Sequence, residues 1–236
     1  MTNPSQDSRS ARLLSLSVHE LRSPLTVAAG YIRMLMKDRG GALNDQQRRL
    51  LEEAEKSCAR LSVLIAEMSD LSNLEAGSAP CNRSITDLHA LLSEVVKALP
   101  EIPDRHIDVD LSIGSDPATV RADPVRLKGA ITSILIALRR ELVTSTTLFV
   151  RERTGEFLGK PASWMILGDG DRIGALETAT PETLTTFDEW RGGCGLSLPM
   201  ARRIIDGLGG AIWSLPDATQ TRGVSMAAAV IVLPLA

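Results

Sequence analysis

The chain has few of the residues from which several kinds of functional site are built. It contains three histidines and three cysteines, and aromatic residues make up only 3% of its 236 positions. Cys58, Cys81 and Cys194 are odd in number and widely spaced, which excludes a disulfide framework and a cysteine-based metal site and indicates a reducing compartment. No apolar run is long enough to cross a membrane, since the longest, residues 226–236, is short and contains a proline.

The charge balance and the first residues exclude further classes. A formal net charge of -3 argues against nucleic acid or an anionic membrane as the main partner. Residues 1–10 are polar, lack the apolar core of a signal peptide and are expected to form a flexible tail. Apolar residues nevertheless make up 44% of the chain, so it can bury a core, built mainly from aliphatic side chains. We therefore expect a cytoplasmic protein.

Two segments near the start carry a repeat typical of paired helices. Between residues 14 and 35, and again between 50 and 71, apolar residues recur at alternating spacings of four and three. Residues 37–43 contain Gly40 and Gly41 and are expected to form a loop, with Asn44 as the N-cap of the second helix. Two helices with one apolar stripe each cannot complete a core. The pattern therefore predicts a hairpin over 11–77 that dimerises into a four-helix bundle, or else one that packs on its own chain.

The pattern changes after a linker at 78–84. We expect helices at 85–99, 126–141 and 196–208, and strands at 107–111, 119–121, 146–152, 163–167, near Ile212 and at 226–233. Helices and strands interleave, which predicts an α/β sandwich over 85–236. The fold class of the whole chain is thus α+β, a helical hairpin followed by a sandwich.

His19 is the histidine with the most distinctive surroundings. Glu20 follows it directly, Ser23 lies one helical turn further along the same face, and Pro24 removes a helical hydrogen bond from the carbonyl of Glu20. A neutral imidazole nitrogen can attack a phosphoryl group, and an adjacent carboxylate can accept the proton that leaves. The alternative for His19 is a surface histidine on a charged helix face. We expect no catalytic role for His89, on a predicted helix, or for His106, which precedes a predicted strand.

The string His-Glu-Leu-Arg-Ser-Pro-Leu at 19–25 resembles the H-box of sensor histidine kinases. Further along, 123–127 resembles the start of the family's N-box helix and 193–198 its G2 box, so the resemblance covers residues 11–236. It implies a dimerisation and phosphotransfer hairpin followed by a Bergerat-type ATP-binding domain. It also implies that His19 is the phosphoacceptor, Glu20 the base and Ser23 the residue that positions water for dephosphorylation. ATP and Mg²⁺ are the cofactors implied, held by Arg140, Gly193, Gly195 and Leu196.

Several positions depart from the family's nucleotide-binding pattern. The two N-box asparagines, which would hold Mg²⁺, fall on Ser133 and Ala137, so we predict no metal ligand in this protein. In the adenine box at 168–173, one register puts Gly168 at the aspartate position and Arg172 at the second glycine. A register shifted by one residue offers Asp169 instead. The loss of both a metal ligand and an adenine contact should make ATP use negligible.

Three functional hypotheses follow. The first is a two-component protein that exchanges phosphoryl between His19 and the aspartate of a response regulator, either as a divergent kinase or as an ATP-independent phosphotransferase or phosphatase. The residues favour the ATP-independent version. The second is a non-enzymatic dimeric adaptor, and the third, weaker, is a stand-alone ATPase. Because little sequence precedes His19, a separate sensor or upstream kinase is the expected source of the signal.

Overall fold

The computed structural model describes residues 4–76, 82–102, 105–191, 194–216 and 227–236. The chain divides into two compact units, residues 1–79 and 80–236. Within the described ranges, no helix is both long and apolar enough to cross a membrane.

The first unit is a helical hairpin. Helix α1 spans Pro4–Met36 and helix α2 spans Asp45–Glu75. The predicted cap is confirmed, because the Asn44 side chain accepts a hydrogen bond from the Gln47 backbone N–H and the Gln47 side chain accepts one from Asn44. One expectation was wrong: residues 4–10 continue helix α1 instead of forming a flexible tail. Pro4 has the fixed φ that suits a first helical position, and polar residues tolerate helix well.

Some positions of the apolar repeat are buried in the hairpin and others are exposed. Val18, Ile65 and Leu71 are buried inside the hairpin. Leu21, Leu35 and other positions of the same repeat stay exposed, as do Leu50 and Leu61 on the second helix. One hairpin therefore covers only part of its own seam.

The second unit is a sandwich of a mixed sheet and helices. Its strands are β1 (Ser84–Asp87), β2 (Asp108–Ser112), β3 (Thr119–Ala122), β4 (Thr147–Phe157), β5 (Lys160–Gly168), β6 (Thr185–Thr186), β7 (Ala211–Ser214) and β8 (Ala228–Pro234). The helices are α3 (Leu88–Lys97), α4 (Pro124–Glu141), α5 (Ile173–Glu177) and α6 (Ser197–Gly207), with a short 3₁₀ turn at Pro181–Thr183. Strands β1 and β3 form a small antiparallel pair, and the other six form a sheet in the order β2-β4-β5-β8-β7-β6.

The sheet has an apolar layer on each face. Helices α3, α4 and α6 pack on the face that carries Leu148, Met165 and Leu167, which confirms the predicted α/β sandwich. On the other face Trp164 and Ile166 pack with Leu176 of α5. Alternate residues of β5 thus point to opposite layers, as the pleat of a strand requires.

Three local expectations in this unit were wrong. Residues 85–87 are not helical but belong to strand β1, because Asp87 caps helix α3 by accepting hydrogen bonds from the backbone N–H groups of His89 and Ala90. Strand β4 extends to Phe157, well beyond the predicted end, because its hairpin partner β5 pairs with it as far as Lys160. The short elements α5 and β6 were not expected at all, since neither is long enough to show a periodic pattern.

Candidate functional site

His19 lies on the surface of helix α1, at the position following the buried Val18. Val18 packs inside the hairpin and fixes the rotation of the helix, so that His19 and Glu20 are both exposed. Ser23 is exposed one turn further along, and Pro24 lies within the continuous helix. The three residues predicted to act together therefore share one accessible stretch of the hairpin.

The candidate nucleotide residues lie in the second unit, around helix α4 and the turn that leads into α6. Arg140, near the end of α4, is exposed, and its Nη1 lies 3.7 Å from the Sγ atom of Cys194. Gly195 adopts a positive φ of 61°, a conformation that glycine takes at little cost, and Leu196 then begins α6. The structure thus places Arg140 next to Cys194, the residue before Gly195 and Leu196, whereas Gly193 lies outside the described residues.

The two positions expected to hold Mg²⁺ carry no asparagine. The Ser133 hydroxyl donates to the backbone carbonyl of Gly129 at 2.9 Å, a bond internal to helix α4. Ala137 is fully buried and has no side-chain oxygen or nitrogen. Over the described ranges, no group of three or more His, Cys, Asp or Glu side chains is arranged to hold a metal ion. The asparagine amides that hold Mg²⁺ in the family pattern are therefore absent at both positions.

The end of strand β5 favours the shifted register of the adenine box. A Cβ atom on Gly168 would lie 2.9 Å from a methyl carbon of Leu176, in the apolar layer away from helices α3, α4 and α6. Asp169 comes next in the alternation, on the side of Leu167, and is only 2% exposed. Its Oδ1 accepts the backbone N–H of Arg172 at 3.1 Å. Asp169, and not Gly168, is thus the buried carboxylate at the end of strand β5.

A buried ion pair that sequence reasoning missed anchors the segment before the turn. Arg191 donates from Nε to Oε1 of Glu141 at 2.8 Å and from Nη2 to Oε2, and their side chains are only 6% and 12% exposed. Arg191 also donates to the Ser214 hydroxyl at 3.0 Å and lies over the ring of Phe187 at 5.1 Å. The only signal in the sequence was Glu141 beside Arg140. The 50-residue separation from Arg191 hid the partner.

A second buried polar cluster lies on the helix-facing side of the sheet. The carboxylate of Glu152 accepts hydrogen bonds from the Ser163 hydroxyl at 2.7 Å and from the backbone N–H of Gly114 at 3.1 Å. Nε2 of His89 lies 2.9 Å from the same carboxylate. Every partner is suited to donate to Glu152, so the cluster is a satisfied structural network that ties α3 to the sheet.

The chain is similar to known histidine kinases, in the hairpin alone and over most of its length. Residues 10–77 match the His Kinase A (phospho-acceptor) domain. The circadian input-output histidine kinase CikA of Synechococcus elongatus is 27% identical over 210 residues, covering 84% of this chain and 27% of the relative. The signal transduction histidine-protein kinase BarA of Escherichia coli is 29% identical over 202 residues, covering 82% of this chain and 22% of the relative. The chain as a whole is thus similar to sensor histidine kinases, and residues 10–77 are similar to their phospho-acceptor domain.

Solved structures of histidine kinases show the same fold. Full-length ShkA, in complex with AMPPNP, superposes with a TM-score of 0.65 at 20% identity and covers 95% of this chain and 46% of its own. The Acinetobacter baumannii histidine kinase AdeS superposes with a TM-score of 0.53 at 19% identity, covering 92% of this chain and 98% of its own. The likeness in fold thus extends over both units, although the chain spans only about a quarter of the length of relatives such as CikA.

Proposed function

We propose that this chain is a histidine kinase family protein that carries a phosphoryl group on His19 and exchanges it with the aspartate of a response regulator, without using ATP as the donor. The observation that supports it most directly is the position of His19, exposed on a helix whose rotation is fixed by Val18, within the segment that matches the phospho-acceptor domain. Glu20 and Ser23 are exposed beside it. The two-component chemistry of the family supplies the partner class.

The proposed transfer of the phosphoryl group can be written with residues of this chain and needs no metal ligand from it. The unprotonated ring nitrogen of His19 attacks the phosphorus of an aspartyl phosphate, so an N–P bond forms as the P–O bond to the aspartate carboxylate breaks. The carboxylate leaves, and the proton on the other ring nitrogen passes to Glu20. The reverse step returns the phosphoryl group. Ser23 orients a water molecule when the aspartyl phosphate is hydrolysed instead.

The seam of the hairpin supports a homodimer as the acting form. Leu21 is 47% exposed and Leu61 is 50% exposed although both belong to the apolar repeat. Pairing with a second hairpin would cover these positions and complete a four-helix bundle. The receiver domain would then dock on exposed positions of the bundle beyond His19, such as Tyr31 and Met34, which are 64% and 47% exposed.

The nucleotide region argues against ATP as the donor. Ser133 and Ala137 supply no ligand for Mg²⁺, and Mg²⁺ is what gathers the charge of the triphosphate and stabilises its transfer. We therefore assign the phosphoryl group on His19 to a partner protein. Asp169 is the observation that favours a second candidate, a divergent kinase, because a buried carboxylate remains where the base would be read.

Radiolabel transfer distinguishes these functions. Full-length protein is incubated first with labelled Mg·ATP, and then with a panel of receiver domains charged by labelled acetyl phosphate. We expect no acid-labile label from ATP, and label on the wild type from at least one receiver domain. His19→Gln should abolish that label, whereas His106→Gln, at another exposed histidine, should keep it.

Two outcomes would overturn the proposal. Label from Mg·ATP that disappears in His19→Ala would establish the divergent kinase. Failure of every receiver domain to label the wild type, together with unchanged aspartyl-phosphate lifetimes, would leave the non-enzymatic dimeric adaptor.

A further inference from the structure

Arg172 is a buried cation with an unpaired edge. The residue is 6% exposed and follows strand β5 in the loop that leads into helix α5. Its Nε and Nη2 atoms are buried and, among the residues that the structure describes, have no hydrogen-bond partner. These two atoms carry three of the five N–H donors of a guanidinium. Together Nε and Nη2 form one edge of the guanidinium, which can donate two parallel hydrogen bonds to two oxygens of one carboxylate or phosphate.

Nearby carboxylates do not neutralise this edge. Asp169, 2% exposed, contacts Arg172 through the backbone, where its Oδ1 accepts the Arg172 N–H at 3.1 Å. No side-chain ion pair within 4.0 Å joins Arg172 to Asp169 or Asp171 across the described ranges. A buried guanidinium without a counter-charge is costly, and native structures rarely leave one.

Arg139 provides an internal comparison. It is also 6% exposed and has an unpartnered Nε. Its Nη1 and Nη2, however, donate to the carbonyls of Pro100 and Ile107 at 2.8 and 3.0 Å, so it ties helix α4 to the chain around strand β2. Arg139 thus has a structural use that accounts for its burial, whereas no contact of the Arg172 guanidinium in the described chain accounts for its own.

We propose that Arg172 is an anion-binding residue and that its Nε–Nη2 edge takes the oxyanion of a ligand, either a phosphate or a carboxylate. The site lies at the end of strand β5 beside Asp169 and needs no metal ion, because the guanidinium itself supplies the positive charge. The proposal does not depend on phosphoryl transfer by His19.

Thermal unfolding of the full chain with and without anions tests the assignment. In oxyanion-free buffer from which metal ions have been removed with a chelating resin, Arg172→Met should raise Tm by roughly 2–4 °C or more, because it removes an unpaired buried charge. Inorganic phosphate, pyrophosphate or citrate should raise Tm of the wild type and fail to do so for Arg172→Met. By titration calorimetry, Arg172→Gln should weaken the preferred anion about tenfold to a hundredfold.

The choice of anions identifies the class of ligand, and control variants test whether the effect is specific to Arg172. Stabilisation by phosphate and pyrophosphate identifies a phosphate ligand, and stabilisation by citrate alone identifies a carboxylate. Arg121→Gln, at an exposed arginine of strand β3, should bind the anion like the wild type. His19→Gln should do so too, because anion binding at Arg172 does not depend on phosphoryl transfer by His19. A lower Tm for both Arg172 variants in anion-free buffer, or equal anion stabilisation of wild type and variants, would overturn the proposal.

Discussion

The ion pair between Glu141 and Arg191 makes a sharp prediction about stability. Two parallel hydrogen bonds join the groups, at 2.8 Å from Nε to Oε1 and again from Nη2 to Oε2, and the side chains are 12% and 6% exposed. Removing one partner leaves the other charge buried and uncompensated. That situation costs about 3–5 kcal/mol, far more than the loss of a surface pair.

Glu141→Gln is the variant to measure. It preserves the size of the side chain but removes the charge and sets an amide against the guanidinium. We expect the free energy of unfolding to fall by about 3–5 kcal/mol, which is a drop in Tm of roughly 6–20 °C for a protein of this size. Replacing both groups, as in Glu141→Leu with Arg191→Met, should recover most of the loss because an apolar pair needs no compensation.

The assay is denaturant unfolding, followed by circular dichroism, of Glu141→Gln and of the four proteins of a double-mutant cycle: wild type, Glu141→Leu, Arg191→Met and the double variant. The coupling energy should persist at high salt, because a buried pair is weakly screened. Lys56→Met, which breaks the exposed pair with Glu53 on helix α2, should leave the midpoint nearly unchanged. A loss below about 1 kcal/mol for Glu141→Gln would refute the reasoning, since it would place the pair among surface ion pairs.

Two further predictions concern a helix cap in the second unit and the apolar repeat of the hairpin. Asp123 caps helix α4, and the backbone N–H of Arg126 foremost, aided by those of Asn82 and Val125, lowers the pKa of its carboxyl group. Asp123→Ala should therefore cost about 0.5–2 kcal/mol near neutral pH, and the difference from wild type should shrink as pH falls through the lowered pKa, as urea unfolding across pH 2–7 would show. In the hairpin, Leu21→Glu should convert a dimer into a monomer in light scattering, whereas Val63→Glu, an exposed position outside the repeat, should not. The same oligomeric state for Leu21→Glu and Val63→Glu would contradict dimerisation through the apolar repeat.

The hairpin could be predicted well because its signals are local. The apolar spacing fixes both helices, and Asn44 with Gln47 forms a capping box that is readable from four consecutive residues. The error at residues 85–87 has the opposite origin. Ile85 and Thr86 suit a helix or a strand, and the choice is made by β3, which pairs with them from 36 and 34 positions away.

The nucleotide region could be predicted only in part, for the same reason. The sequence alone shows that Ser133 and Ala137 replace metal-binding asparagines. It could not select between Gly168 and Asp169, because that choice depends on which face of strand β5 each residue takes and on the contact of Gly168 with Leu176. Burial of Arg172 is likewise a tertiary property, set by elements that pack around the end of the sheet.

The arginines of this region have different capacities for an anion, and the difference limits what the second unit can do. Arg191 is already neutralised by Glu141, so it cannot also hold a phosphate without breaking a buried pair. Arg140 is exposed and touches only a thiol among its described contacts, so its charge is shared with water. Arg172 alone combines burial with an unpaired fork. An anion that binds in this unit should therefore gain most of its affinity from Arg172, and that affinity should not depend on added divalent metal ions. A Mg²⁺-dependent affinity would instead require a metal ligand that neither Ser133 nor Ala137 can provide.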